Sequence, residues 1–152
     1  MGIDPGLNKT GWGVVLSQNG QQQYLASGTL TTVTTDMLQV RMHKIFTGLK
    51  ALIDLYKPDE IALEETYVNS NAKSSLHLAH ARAAAILAAA EYDVNVQPYQ
   101  AKTVKKVVTG SGNADKEQVA KMLRLRISGI DSVKSKDAID AIALAFCHAQ
   151  YL

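Results

Sequence analysis

Gly2-Ile3-Asp4-Pro5-Gly6, with Gly11-Trp12-Gly13 close behind it, is the stretch from which the rest of the chain is read. A short apolar run ends in one carboxylate, Asp4, and two backbone-restricting residues follow at once. Pro5 fixes the dihedral after Asp4, and Gly6 permits a sharp or close-packed turn. A carboxylate aimed from a strand into a Gly-flanked space is a reasonable metal ligand. Asp-Pro and Pro-Gly are also common turn dipeptides, so this stretch alone leaves both readings open. The choice depends on whether other carboxylates come to the same place. Only three residues precede Asp4, which is short for a strand of about five or six, so a trimmed front is one reading of the chain and is left open.

A length of 152 residues fits one domain, 1–152, with a real core. Apolar content of 47% and charged content of 20% are ordinary for a folded soluble protein. No apolar run is long enough to span a bilayer, and nothing at the N-terminus reads as a signal peptide. The expectation is a cytoplasmic protein without a membrane partner. The single cysteine, Cys147, allows no internal disulfide and fits a reducing compartment. Ala145, Phe146 and Ala149 around it make it a buried filler.

Net charge is only +2, but it is unevenly spread. From Lys102 to Lys136 there are nine Lys/Arg and three Asp/Glu. Residues 1–101 carry seven Lys/Arg and nine Asp/Glu, and the last sixteen residues carry two Asp and no Lys/Arg. A basic block beside acidic elements is what a nuclease needs, namely a phosphate-attracting surface around metal-holding carboxylates. A solvated helical face explains the same counts.

Outward from the opening stretch, Trp12 to Leu16 reads as a strand, and Asn19-Gly20 signals a hairpin turn. Tyr24 to Thr32 is the return strand, with a bulge or close approach at Gly28. The period then changes. Leu38, Met42, Ile45, Phe46, Leu49, Leu52, Ile53 and Tyr56 predict an amphipathic helix from near Asp36, stopped by Pro58. Ile61-Ala62-Leu63 is a short apolar run, read as a buried parallel strand ending in Glu64-Glu65. A helix is predicted over Lys73–Glu91, with Ser70 or Asn71 as cap. Val94-Asn95-Val96 is a strand closed by Pro98, followed by a helix over Ala101–Val108 and a break at Gly110-Ser111-Gly112. Another helix begins near Asn113 to Asp115 and reaches about Ile127; 129–134 is loop. The last helix starts at a Ser135 cap and continues to the end. This order implies an α/β fold: a mixed five-stranded sheet, three antiparallel strands then two parallel, flanked by helices.

Glu64 stands where the buried strand runs out, and open α/β sheets place their sites beyond the carboxyl ends of strands. Parallel pairing of that strand with the one ending at Asp4 puts both side chains on neighbouring strands. Glu65 is the competitor, because strand side chains alternate faces. The last helix is apolar nearly all round, yet Asp137 and Asp140 sit three apart on one face in its first turns. Two such carboxylates repel and lose hydration unless something positive compensates. A divalent cation would compensate; so would a helix-dipole role for Asp137 and a Lys partner for Asp140. Four carboxylates without a Cys or His cluster favour Mg²⁺ or Mn²⁺ over zinc. The chemistry this suggests is two-metal phosphodiester hydrolysis.

Taken together, Gly2-Ile3-Asp4-Pro5-Gly6, Thr10-Gly11-Trp12-Gly13-Val14, Leu63-Glu64 and Asp137-Ala138-Ile139-Asp140-Ala141 resemble the RuvC family of Holliday junction resolvases, with an RNase H-like fold. Asn71-Ala72, Ala81-Arg82 and Val104 to Gly112 also look like the family pattern, so the resemblance covers nearly the whole chain. It implies that Asp4, Glu64, Asp137 and Asp140 are the metal-binding, catalytic positions, with two Mg²⁺ per active site and Mn²⁺ as a substitute. It implies that Lys105 and Lys116 handle DNA. It implies that Tyr67, often Phe in relatives, stacks on bases near the junction centre; the hydroxyl is a departure. It further implies a homodimer that nicks two opposed strands of a four-way junction symmetrically, in recombination and repair, alongside the branch-migration proteins RuvA and RuvB. No basic tail follows Leu152, so no tail contribution to DNA binding is assumed.

Three other functions compete. One is an actin- or sugar-kinase-like ATP-binding protein, which needs two such domains. Another is a catalytically silent junction-binding module. The last is an RNase H-like nuclease acting on RNA or an RNA–DNA hybrid, a choice that lies in surface shape.

Overall fold

The computed structural model describes residues 1–65 and 72–152. One five-stranded sheet runs through it in the order β3-β2-β1-β4-β5. β1 (Gly2–Asp4) is central, pairing antiparallel with β2 (Lys9–Gln18) and parallel with β4 (Glu60–Glu64). β3 (Gln21–Thr31) and β5 (Asn95–Tyr99) form the two edges. The expected mixed sheet, three antiparallel strands and then two parallel, is therefore what forms.

The hairpin between β2 and β3 turns on Asn19 and Gly20, both with positive φ (51° and 76°). That is the twist a two-residue hairpin requires. Of the bulge and the close approach left open at Gly28, the bulge lies elsewhere, where the register shifts between Val14 and Val15. Gly28 instead admits the Trp12 ring, since a Cβ there would stand 2.9 Å from Trp12 Cζ2. Pro98 does not close β5 but lies within it, opposite Leu63. An edge strand tolerates this because one side of its backbone needs no ladder partner.

Helices cover both faces. α1 (Leu38–Tyr56) buries Ile45, Leu49 and Ile53 at four-residue spacing and ends on Lys57 in the left-handed conformation, just before Pro58. α2 (Ala72–Ala90) packs on α1 through Ala81, Ala84, Ala85, Ala88 and Ala89, whose small side chains allow close approach. Its expected caps, Ser70 and Asn71, lie outside the described residues. Ile3, Ile61 and Leu63 complete the core on that side.

On the opposite face sit α3 (Ala101–Thr109), α4 (Lys116–Arg126) and α5 (Lys136–Ala149). Asp115 caps α4 in a reciprocal box with Gln118, which fixes its first turn. Residues 129–134, expected as loop, contain one short 3-10 turn, Ile130–Ser132. Ser135 caps α5 as expected, by accepting from the Ala138 amide. α5 stops at Ala149 rather than at the chain end. From Ala138 to His148 it is buried at every position except Asp140. No helix of the described residues is long and apolar enough to cross a membrane.

Candidate active site

Three glycines decide where α5 lies. Gly2, Gly11 and Gly13 share one face of β1 and β2, and α5 rests on them. A Cβ at Gly2 would collide with the Ala141 carbonyl oxygen, and one at Gly11 with that of Asp137. One at Gly13 would stand 2.6 Å from Ile142 Cγ1. Side chains at these three positions would hold the helix off the sheet. Without them the first turns of α5 press against the ends of β1 and β4, which is where Asp4 and Glu64 emerge.

The strand register brings those two carboxylates together. Gly2 pairs with Ala62 and Ile3 with Leu63. Asp4 and Glu64 follow one step on, beside each other and on the α5 face, since strand side chains alternate. Asp4, Glu64 and Asp140 line one cavity of 240 Å³ with Lys105 of α3 and Lys116 of α4. Val104, Val119 and Leu144 supply its apolar wall. A larger groove of 760 Å³ lies at the β2–β3 hairpin tip, but no carboxylate lines it. The carboxylates make the smaller one the candidate site.

Charge inside the cavity is balanced tightly. Burial raises the Asp4 pKa from 3.8 to about 8, helped by a hydrogen bond with Glu64 and by the charges of Glu64 and Asp140, with Lys116 opposing. Asp4 is thus held as the neutral acid, hydrogen-bonded to Glu64. Asp140 pairs with Lys116, whose Nζ stands 2.5 Å from its Oδ2. Lys116 is held protonated above its ordinary value, chiefly by that hydrogen bond. Among the described residues, no three His, Cys, Asp or Glu side chains stand together as a finished metal cage. The donor set nevertheless fits a hard divalent cation: all oxygens, crowded, and already drawing a proton and an ammonium to themselves.

Of the expected site residues, the cavity collects Asp4, Glu64, Asp140, Lys105 and Lys116. Asp137 lines neither this cavity nor its neighbour. It is half-buried one turn earlier, over Gly11, the residue paired with Asp4. Tyr67 lies outside the described residues. Glu65 faces a second cavity that also touches Asp4 and Glu64. Lys102 lines that second cavity and was missed; it stands three before Lys105 on α3, a spacing that could have flagged it.

Comparison with known proteins identifies the family and the fold. Residues 1–148 match the family model described as crossover junction endodeoxyribonuclease RuvC. The RuvC protein of Acidiphilium cryptum is 42% identical over 152 residues, covering 100% of this chain and 90% of that protein. That of Rickettsia prowazekii is 42% identical over 146 residues, covering 96% and 93%. Among solved structures, Thermus thermophilus RuvC in complex with a Holliday junction substrate superposes with a TM-score of 0.92 at 28% identity, over 99% of this chain and 92% of that one. The yeast mitochondrial Holliday junction resolvase shares the fold alone, with a TM-score of 0.69 at 12% identity, over 99% and 78%. The fold is RNase H-like, and with these matches along nearly its whole length the chain belongs to the RuvC family of crossover junction endodeoxyribonucleases.

Proposed function

We propose that this chain resolves four-way DNA junctions, hydrolysing phosphodiester bonds in the cavity of Asp4, Glu64 and Asp140. The observation that carries this reading is the cavity itself: three carboxylates from β1, β4 and α5 facing two lysines from α3 and α4. Divalent cations, two Mg²⁺ with Mn²⁺ able to substitute, would polarise the phosphate and supply hydroxide from water at neutral pH. Asp4, Glu64 and Asp140 would hold them, joined by Asp137 from the preceding turn of α5. Asp4 would have to give up its proton for this, and Asp140 would have to release Lys116. The freed ammonium then lies beside the scissile phosphate, where Lys105 also reaches. A water oxygen bonds to phosphorus as it loses a proton, the bond to the 3′ oxygen breaks, and that oxygen takes up a proton from solvent, leaving a 5′-phosphate and a 3′-hydroxyl.

Symmetric paired nicks call for two active sites, hence a homodimer. The outer face of α2 supports this, exposing Leu76 (58%) and Leu87 (57%) with Ala83 between them. Tyr67, three residues after Glu64 in the sequence, is assigned to stacking on unpaired bases at the crossover. A cytoplasmic role in recombination and repair beside RuvA and RuvB completes the reading. The test is nicking of a synthetic four-way junction, a linear duplex and an RNA–DNA hybrid in Mg²⁺. Selective paired nicks in the junction are expected; equal cleavage of duplex or hybrid rejects the reading.

A further inference from the structure

Arg41 lies in the first turns of α1 and is buried, with 6% of its surface exposed. The ion pairs of the described residues do not include it. A cation near a helix N-terminus also opposes the helix dipole. Burying a charge without a counter-ion is costly unless hydrogen bonds compensate. Here they do, and all of them run to one place. Arg41 Nε donates to Thr32 Oγ1 at 2.9 Å, and Nη2 donates to Asn8 Oδ1. Thr32 Oγ1 donates onward to the Leu7 carbonyl at 2.6 Å, and the Thr32 amide donates to the Asn8 carbonyl at 3.1 Å. From below, Thr10 Oγ1 donates to the Gly6 carbonyl at 2.9 Å. The turn fastened by these bonds is Pro5 to Asn8, which begins at Asp4.

We propose that Arg41 is a positioning residue for the cleavage reaction: its two-pronged guanidinium pins the turn that holds Asp4 at the mouth of the cavity. It acts through the turn rather than through its field, because the charges acting on Asp4 are those of Glu64, Asp140 and Lys116. The fork shape matters, since one planar group reaches two acceptors on separate segments of the chain, Thr32 and Asn8, which suits a guanidinium better than an ammonium. The inference rests on the proposed nuclease reading, and its test separates the two.

Arg41→Gln, Arg41→Lys and Asn8→Ala are compared with wild type for single-turnover cleavage of a four-way junction in Mg²⁺. Junction affinity is measured in EDTA, and Mn²⁺ affinity by calorimetry. Asn8 is exposed, so its variant tests the clamp even if an Arg41 variant fails to fold. Loss of a residue that orients a metal ligand costs about 10- to 100-fold in metal affinity or rate. That loss is expected in all three variants, with junction affinity unchanged. Arg41→Gln combined with Asn8→Ala should be no worse than either alone. Wild-type values for Arg41→Lys would show that charge alone suffices and overturn the clamp, as would wild-type cleavage and Mn²⁺ affinity in Asn8→Ala. A wild-type protein that does not cleave defeats the nuclease reading, while the Mn²⁺ affinities still decide the role of Arg41.

Discussion

Asp4 must be an anion to hold a cation, yet its surroundings favour the neutral acid. Its pKa is raised from 3.8 to about 8, first by burial and then by Glu64 and Asp140. Below about pH 4 the group is protonated folded or unfolded, and the stability it allows is fully present. As pH rises toward 8 the unfolded chain has lost that proton while the folded protein keeps it, so stability falls across the whole window. In EDTA the urea midpoint should therefore drop between about pH 5 and about pH 8, and Asp4→Asn should flatten that slope. A midpoint rising with pH in wild type but not in Asp4→Asn would contradict the crowding described. The identities of Asp4, Glu64 and Asp140 were legible in the sequence because each breaks an apolar run at its end or on its face. Arg41 was not legible. Its burial depends on Thr32 and Asn8, and no spacing rule links positions 8, 32 and 41.

Among the elements, α5 carries the most consequence, since its seat on Gly2, Gly11 and Gly13 sets where Asp140 stands. Gly11→Ala should push the helix away at the Asp137 turn. Overpacking of this kind costs about 1–3 kcal/mol, to be read from urea denaturation, with cleavage falling further than stability requires. Wild-type stability and cleavage together would show that α5 does not need the glycine seat. That α5 is buried was plain from its unbroken apolar residues. What seats it was not, because a glycine in a strand reads equally as a bulge or as a close approach. Gly28 shows the same ambiguity, being a close approach where a bulge was also open. Pro98 misled for a related reason: only the sheet order makes β5 an edge, and sheet order is not written in a local run. α2 makes a separate prediction. Leu87→Glu should convert a dimer to a monomer in sedimentation while leaving the fold intact by circular dichroism. A dimer persisting in that variant would place the partner contact on another face.

Across the whole molecule, the uneven charge of the sequence acquires a location. The basic block from Lys102 to Lys136 is α3, α4 and the approach to α5, and it brings Lys102, Lys105 and Lys116 to the carboxylates at the ends of β1 and β4. Junction affinity should therefore fall steeply with salt, and Lys105→Ala should lower the log–log slope by about 1. An unchanged slope would remove Lys105 from the phosphate contacts. Sequence order alone predicted the sheet, because a meander followed by helix–strand units admits few arrangements. The sequence offered a Lys partner for Asp140 but did not say which, and it is Lys116, twenty-four residues away on another helix. The central claim is that this cavity cuts junction DNA, and single-turnover cleavage of a four-way junction by wild type and Asp140→Asn across a Mg²⁺ titration tests it most directly. Wild type should nick the junction only when Mg²⁺ is present, and the variant should bind it equally well but cleave at least about 100-fold more slowly, in line with lost transition-state charge stabilisation. Cleavage at the wild-type rate by Asp140→Asn would contradict it.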